Sequence, residues 1–184
     1  MLRFIAVLLA ALFTTQAHAT EAGWALLREG GHVVLLRHAN APGAMESAHF
    51  DLANCATQRN LSDRGRQQAR RIGALFAARA APVDKVLASS YCRTRDTAVL
   101  AFGASLVETY EPLDLLPGDE EGNAEKAAEI TRFILDYTEA ANLVMVVNED
   151  VIDRLVGVQT REGEAIIVGH DGENLRVAAR IRFN

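Results

Sequence analysis

Arg37-His38 closes a short apolar run, His32-Val-Val-Leu-Leu-Arg37, and this is where the chain first offers chemistry. A histidine at a strand end can act as a nucleophile, a base or a ligand, although a single one is more often a satisfied core residue. Company changes that reading. Arg93 follows a second strand-like run, Lys85-Val-Leu-Ala-Ser89, and Arg59 lies in the long segment between the two runs. Guanidinium forks take up phosphate-type oxyanions bidentately. A neutral imidazole beside them suits attack on a phosphoryl group, with the arginines spreading the charge of the equatorial oxygens. Nearby cations also lower an imidazole's pKa and keep it neutral.

The elements that must hold these residues follow from pattern. Glu21 to Glu29 reads as a short helix, and residues 39–61 as a long loop with Pro42, Gly43 and several Asn. A loop of that length in a compact domain usually carries function. Ser62 is suited to cap the next helix, whose apolar positions Ala69, Ile72, Leu75 and Phe76 repeat with helical spacing. Arg93 to Phe102, Ala124 to Ala140 and Val151 to Val156 read as further helices. Leu106 to Tyr110, Asn142 to Asn148, Glu164 to Val168 and Leu175 to Phe183 read as strands. This alternation predicts an α/β three-layer sandwich, with a mainly parallel sheet and helices on both faces. The last two strands are too close for a crossover helix, so a hairpin with an antiparallel edge strand is expected. Ligands of such sheets sit beyond the carboxyl ends of the strands, which marks Arg37, His38, Ser89 to Arg93, Asn148 and Glu149.

Composition narrows the classes. The chain has 184 residues, 49% of them hydrophobic, with 19 Lys+Arg against 24 Asp+Glu for a net charge of −5. Disorder is excluded, and a basic nucleic-acid binder is disfavoured. Arg3, the apolar run Phe4 to Phe13 and Ala17-His18-Ala19 have the layout of a secretory signal peptide over residues 1–19, too short to span a bilayer. The expected mature domain, residues 20–184, is therefore exported, periplasmic or secreted, with no membrane span. An oxidising compartment makes a Cys55–Cys92 disulfide plausible, and closing that loop would stabilise the fold by about 3–4 kcal/mol. Two cysteines exclude a four-cysteine zinc site, and the histidines show no metal-ligand spacing, so no metal or other cofactor is expected.

Three segments then resemble one family in order. Leu35-Leu-Arg-His-Ala39 is similar to the Arg-His-Gly motif of the histidine phosphatase superfamily, which includes phosphoglycerate mutases and phosphohistidine phosphatases. Arg59-Asn-Leu-Ser-Asp-Arg-Gly-Arg-Gln-Gln-Ala69 resembles its segment entering the first long helix. Ser89-Ser-Tyr-Cys-Arg-Thr-Arg-Asp-Thr-Ala98 resembles its Ser-Pro-x-x-Arg-Ala-x-Gln-Thr-Ala segment. The resemblance implies a phosphomonoester hydrolase acting through a phosphohistidine at His38, with Arg37 and Arg93 binding the phosphoryl group and Arg59 contributing. It also implies a small phosphorylated substrate or inorganic phosphate as the partner, and it brings both cysteines near the pocket.

The chain also departs from that family. The resemblance calls for a second histidine after the fourth strand, but the segment reads Val147-Asn-Glu-Asp150, so Asn148 stands in its place. Val168-Gly-His-Asp-Gly172 is a rival, yet only one strand's length follows it, and Asp171-Gly172 is a hairpin signal that makes His170 a turn residue. Asparagine donates a hydrogen bond but carries no charge, so a weakened enzyme is expected. The alternative is a phosphate-binding pseudoenzyme on the same fold. Glu149 and Asp119 are the candidate proton donors, each with an ordinary surface acid as the competing reading. His32 and His49 read as structural or exposed. A phosphoglycerate mutase is disfavoured by export.

Overall fold

The computed structural model describes residues 20–43 and 45–183. The expected leader over residues 1–19 lies outside them. Six strands form one sheet: β1 (Val33–Arg37), β2 (Val83–Ala88), β3 (Val107–Thr109), β4 (Asn142–Val147), β5 (Glu164–His170) and β6 (Leu175–Arg182). Their order is β3-β2-β4-β1-β5-β6. β1, β2, β3 and β4 pair in parallel. β5 runs against β1, and β6 pairs antiparallel with β5 as a hairpin, so the reversed strand sits one place in from the edge.

Strand alternation divides the core in two. Val34 and Leu36 of β1 point to one face, with Val144 and Val146 of β4. They are covered by Trp24 and Leu27 of α1 (residues 20–29), Ile72 and Phe76 of α2 (Asp63–Ala78) and Ala98 of α3 (Cys92–Phe102). Val33, Leu35, Leu143 and Met145 point to the other face. Ile130 and Ile134 of α4 (Glu120–Leu135) and Val151 and Ile152 of α5 (Glu149–Val156) cover them. Both β1 and β4 are therefore apolar on both sides, the pattern of a central strand in a three-layer α/β sandwich.

Three helix boundaries differ from the sequence pattern. The third long helix begins at Glu120 rather than Ala124, because the Asp119 carboxylate accepts from the Gly122 N–H and caps the end. It stops at Leu135, where Asp136 turns its N–H back onto Arg132 and Ile134. The helix after β4 starts at Glu149, directly behind Asn148. α2 begins as its sequence suggests, with Ser62 Oγ accepting from the Gly65 N–H at 3.0 Å.

Two glycines bring the α2 backbone close to its neighbours. A Cβ on Gly65 would lie 2.1 Å from the Asn40 carbonyl oxygen, and one on Gly73 would lie 1.8 Å from the Ala101 oxygen in α3. In a free helix Gly73→Ala would stabilise by about 1 kcal/mol. Here it must push two helix backbones apart, and we expect a net loss of roughly 1–3 kcal/mol. Thermal or urea unfolding of Gly73→Ala checks this; a stabilised variant would show that α2 and α3 are not in backbone contact.

Candidate functional site

Everything in the site hangs on the end of β1. The His38 N–H donates to the Val147 carbonyl at 3.0 Å, and the His38 carbonyl accepts from the Gly163 N–H at 2.9 Å. The next residue is fixed too, since the Ala39 N–H donates to Thr97 Oγ1 of α3 at 3.0 Å. The imidazole is 2% exposed. Its Nδ1 lies 2.7 Å from the Ala39 carbonyl oxygen. A carbonyl only accepts, so Nδ1 carries the proton and Nε2 keeps its lone pair. Burial, together with the charges of Arg93, Arg37 and Arg59, outweighs that hydrogen bond and lowers the His38 pKa to about 3.

His38 lines a cleft of about 1020 Å³ whose walls include Arg37, Arg59, Arg93, Asn148, Glu149, Asp150, Glu46, Phe50 and Tyr91. Arg93 is 4% exposed. Its Nε donates to Asn148 Oδ1 at 2.9 Å and its Nη1 to Glu46 Oε1 at 2.6 Å. The guanidinium also stacks over Tyr91, 4.6 Å from the ring centroid, and Phe50 stacks on the same ring. Because Arg93 can only donate, the Asn148 amide must present its oxygen to it. Asn148 Nδ2 is thus left with its two hydrogens. Arg37 pairs with Glu149 Oε2 at 2.8 Å and also donates to the Thr160 carbonyl. Its Nε is buried without an acceptor.

The long loop after β1 supplies the other half. Cys55 and Cys92 form a disulfide, tying the loop to the first residue of α3. Beside it, Gln58 Oε1 accepts from the Cys92 N–H at 2.9 Å. Arg59 is held by Glu46, with its N–H on Oε2 at 3.0 Å and its Nε on Oε1 at 3.3 Å. Glu46 therefore bridges Arg59 and Arg93, occupying donors an oxyanion would use. Burial alone would raise its pKa, but the Arg59 hydrogen bonds and the Arg93 charge hold it below the ordinary carboxylate value. Nothing in the spacing of the sequence marks Glu46. Its loop is long and its neighbours are unpatterned.

The remaining sequence candidates separate clearly. Glu149 is at the cleft but is committed to Arg37, and its Oε1 accepts from the Thr160 N–H at 3.2 Å. Asp119 is exposed, caps α4 and does not line the cleft. His170 ends β5, which runs antiparallel to β1, so it pairs with Leu175 at the opposite end of the sheet from His38. Asp150, beside Glu149, lines the cleft, and its carboxyl is raised above its ordinary value by desolvation.

Two consequences are measurable. An uncharged His38 binds fewer protons when folded than when unfolded between pH 6.5 and about 3. Stability must therefore fall as the pH drops below 6.5, by about 1.4 kcal/mol per unit from this group, and be unaffected by it above. Denaturant unfolding at pH 6 and pH 5, wild type against His38→Gln, should show that slope lost in the variant; equal slopes would mean that His38 protonates freely in the fold. Second, Glu46→Gln removes the charge that competes for Arg59 and Arg93. Inorganic phosphate should bind roughly tenfold more tightly to the variant by calorimetry, one charged hydrogen-bond contact's worth. Weaker binding would assign Glu46 a role in holding the arginines open.

Comparison with known proteins identifies the family and the fold. The profile of the histidine phosphatase superfamily (branch 1) matches residues 33–143. Among curated proteins none matches the chain in sequence. Among solved structures, a phosphoserine phosphatase from Entamoeba histolytica, solved with 3-phosphoglyceric acid, aligns at TM-score 0.62 and 14% identity, covering 82% of this chain and 96% of that one. A phosphoglycerate mutase from Thermus thermophilus aligns at TM-score 0.54 and 19% identity, over 83% and 99%. The protein histidine phosphatase SixA, solved with tungstate, aligns at TM-score 0.56 and 15% identity, over 82% and 96%. These likenesses establish a shared fold, and the profile spans more than half of the chain. The protein belongs to the histidine phosphatase superfamily.

Proposed function

We propose that the protein is an exported phosphomonoester phosphatase working through a phosphohistidine at His38, with its rate limited by Asn148. The observation that carries this reading is His38 itself: a buried, neutral imidazole, its Nδ1–H engaged by Ala39 and its Nε2 lone pair unprotonated, within the field of three arginines. In the first step Nε2 attacks phosphorus and the bond to the leaving oxygen breaks. The leaving oxygen takes a proton from a carboxylic acid. In the second step water attacks the phosphohistidine, the P–N bond breaks, and the water's proton returns to the carboxylate. Inorganic phosphate leaves.

The arginines divide this work. Arg93 and Arg59 offer their forks to the phosphoryl oxygens once Glu46 withdraws. Asp150 fits the proton donor better than Glu149 or Asp119. Its carboxyl is raised by desolvation, whereas Glu149 serves Arg37 and Asp119 caps a helix. Asn148 supplies a neutral N–H where the family pattern has a histidine. Losing a cationic partner for the transition state should slow the reaction on the order of 10²–10³-fold, judged from single-donor deletions in oxyanion holes.

A second reading, a phosphate-binding pseudoenzyme, is favoured by the same Asn148. Export rests on the apolar run Phe4 to Phe13 and the small-residue pattern at Ala17-His18-Ala19. Among the described residues no helix is long and apolar enough to cross a membrane.

The test is labelling by a radioactive phosphoryl donor, followed for turnover. We expect an acid-labile, base-stable label on the wild type that is absent from His38→Ala. Asn148→His should raise hydrolysis of a generic phosphomonoester by at least tenfold. A wild type that binds phosphate but takes no label, with Asn148→His equally silent, would establish the pseudoenzyme instead.

A further inference from the structure

A second concavity, of about 620 Å³, opens beside the His38 cleft and shares none of its lining residues. One wall is α2, which contributes Arg64, Gln67 and Arg71. The opposite wall is the turn entering β5 and the end of β6, which contribute Arg161 and Arg182. Gln159 lines the His38 cleft, the Thr160 carbonyl holds Arg37, and Arg161 lines the groove, so residues 159–161 form the ridge between the two.

The groove's charge is cancelled only in part, since Arg64, Arg71, Arg161 and Arg182 stand against Glu162 and Glu164. Its acidic residues are Glu162 and Glu164, and their oxygens are committed. Glu162 accepts from Asn40 Nδ2 at 2.6 Å and from the Ala41 N–H at 3.0 Å. Glu164 is 2% exposed and accepts from the Arg161 N–H, from Arg180 and from Arg182. Arg64, Arg71 and Arg161 are exposed. Among the described residues none of these three guanidiniums forms an ion pair or donates a hydrogen bond. In a chain of net charge −5 this concentration of unpaired cations is not an average surface.

The layout of the cations selects the ligand. Arg64 and Arg71 stand seven residues apart, two turns of one helix, which separates them by about 10 Å along the axis. A single phosphate would engage one of them. Guanidinium forks match tetrahedral oxyanions, and a row of forks matches a row of such groups. We propose that this groove binds a soluble linear ligand carrying two or more phosphate or sulfate groups, independently of the His38 cleft. The rigid floor supports the same reading. Gln68 receives the Asn40 N–H and donates to the Glu162 carbonyl, fixing both walls against each other.

Calorimetry with inorganic tripolyphosphate tests the proposal, using wild type, the exposed triple variant Arg64→Ala/Arg71→Ala/Arg161→Ala, and Arg59→Ala in the neighbouring cleft. The triple variant should bind tripolyphosphate at least tenfold more weakly while its affinity for inorganic phosphate stays unchanged. Arg59→Ala should keep a tripolyphosphate site that the triple variant lacks. Equal tripolyphosphate affinity in wild type and the triple variant overturns the proposal. So does complete loss of binding in Arg59→Ala with the groove intact. Failure of phosphate to bind the His38 cleft would count against the phosphatase reading alone. Since the three arginines are exposed, unchanged thermal melting certifies the fold, and a second triple variant to Lys should recover part of the affinity.

Discussion

One requirement organises this molecule: a histidine buried among three arginines has to remain uncharged. Desolvation and the guanidinium field both oppose a second proton on His38. The single proton it keeps is fixed on Nδ1 by the Ala39 carbonyl, one residue along the chain. That carbonyl is in place only because the β1 end is tied to β4, to the Gly163 turn and, through Thr97, to α3. The parallel β1–β4 pairing is therefore a device for holding a tautomer as well as a means of burying Val34 and Leu36.

The same arginines would repel one another without carboxylates between them. Glu46 spans Arg59 and Arg93, and Glu149 takes Arg37. The resting cleft is thus an internally compensated network rather than an open cationic hole. On the proposed phosphatase reading an incoming oxyanion would replace Glu46, one anion for another, and so would not create the site's electrostatics anew. The disulfide from Cys55 to Cys92 makes that exchange local. Gln58 and the disulfide pin the base of the loop to α3, whereas Glu46 lies nine residues ahead of Cys55 on the open stretch.

Much of this was legible in the sequence, for identifiable reasons. The alternation of apolar strands with amphipathic helices defines the layers, because central strands such as Asn142–Val147 are apolar on both faces and nothing else explains such runs. Arg37, His38, Arg93 and Asn148 were legible because each sits at the end of a strand or the start of a helix, where local pattern and topology coincide. Glu46 and Asp150 were not. Glu46 is paired with Arg93, 47 positions away in the chain, and Asp150 is set by its burial in the folded cleft, and no periodicity encodes either. Asp119 shows the converse failure. Its Gly-Asp-Glu-Glu-Gly setting reads equally well as a loop acid or a helix cap, and only the fold reveals that α4 uses it as a cap.

Asn148 fits this compensation scheme. A histidine in its place would add a titratable group to a cleft that already holds three guanidiniums, and its protonated form would need a further counter-anion. Asparagine avoids that need. It accepts from Arg93 through Oδ1, so Arg93 stays oriented with no added charge, and its Nδ2 keeps two donors for the cleft. On the phosphatase reading proposed above, the orientation of Arg93 is kept and transition-state charge stabilisation is what the asparagine gives up. On that reading two functions of the position, aligning Arg93 and neutralising a developing charge, are separable, and the hydrogen bond from Arg93 to Asn148 supplies the first.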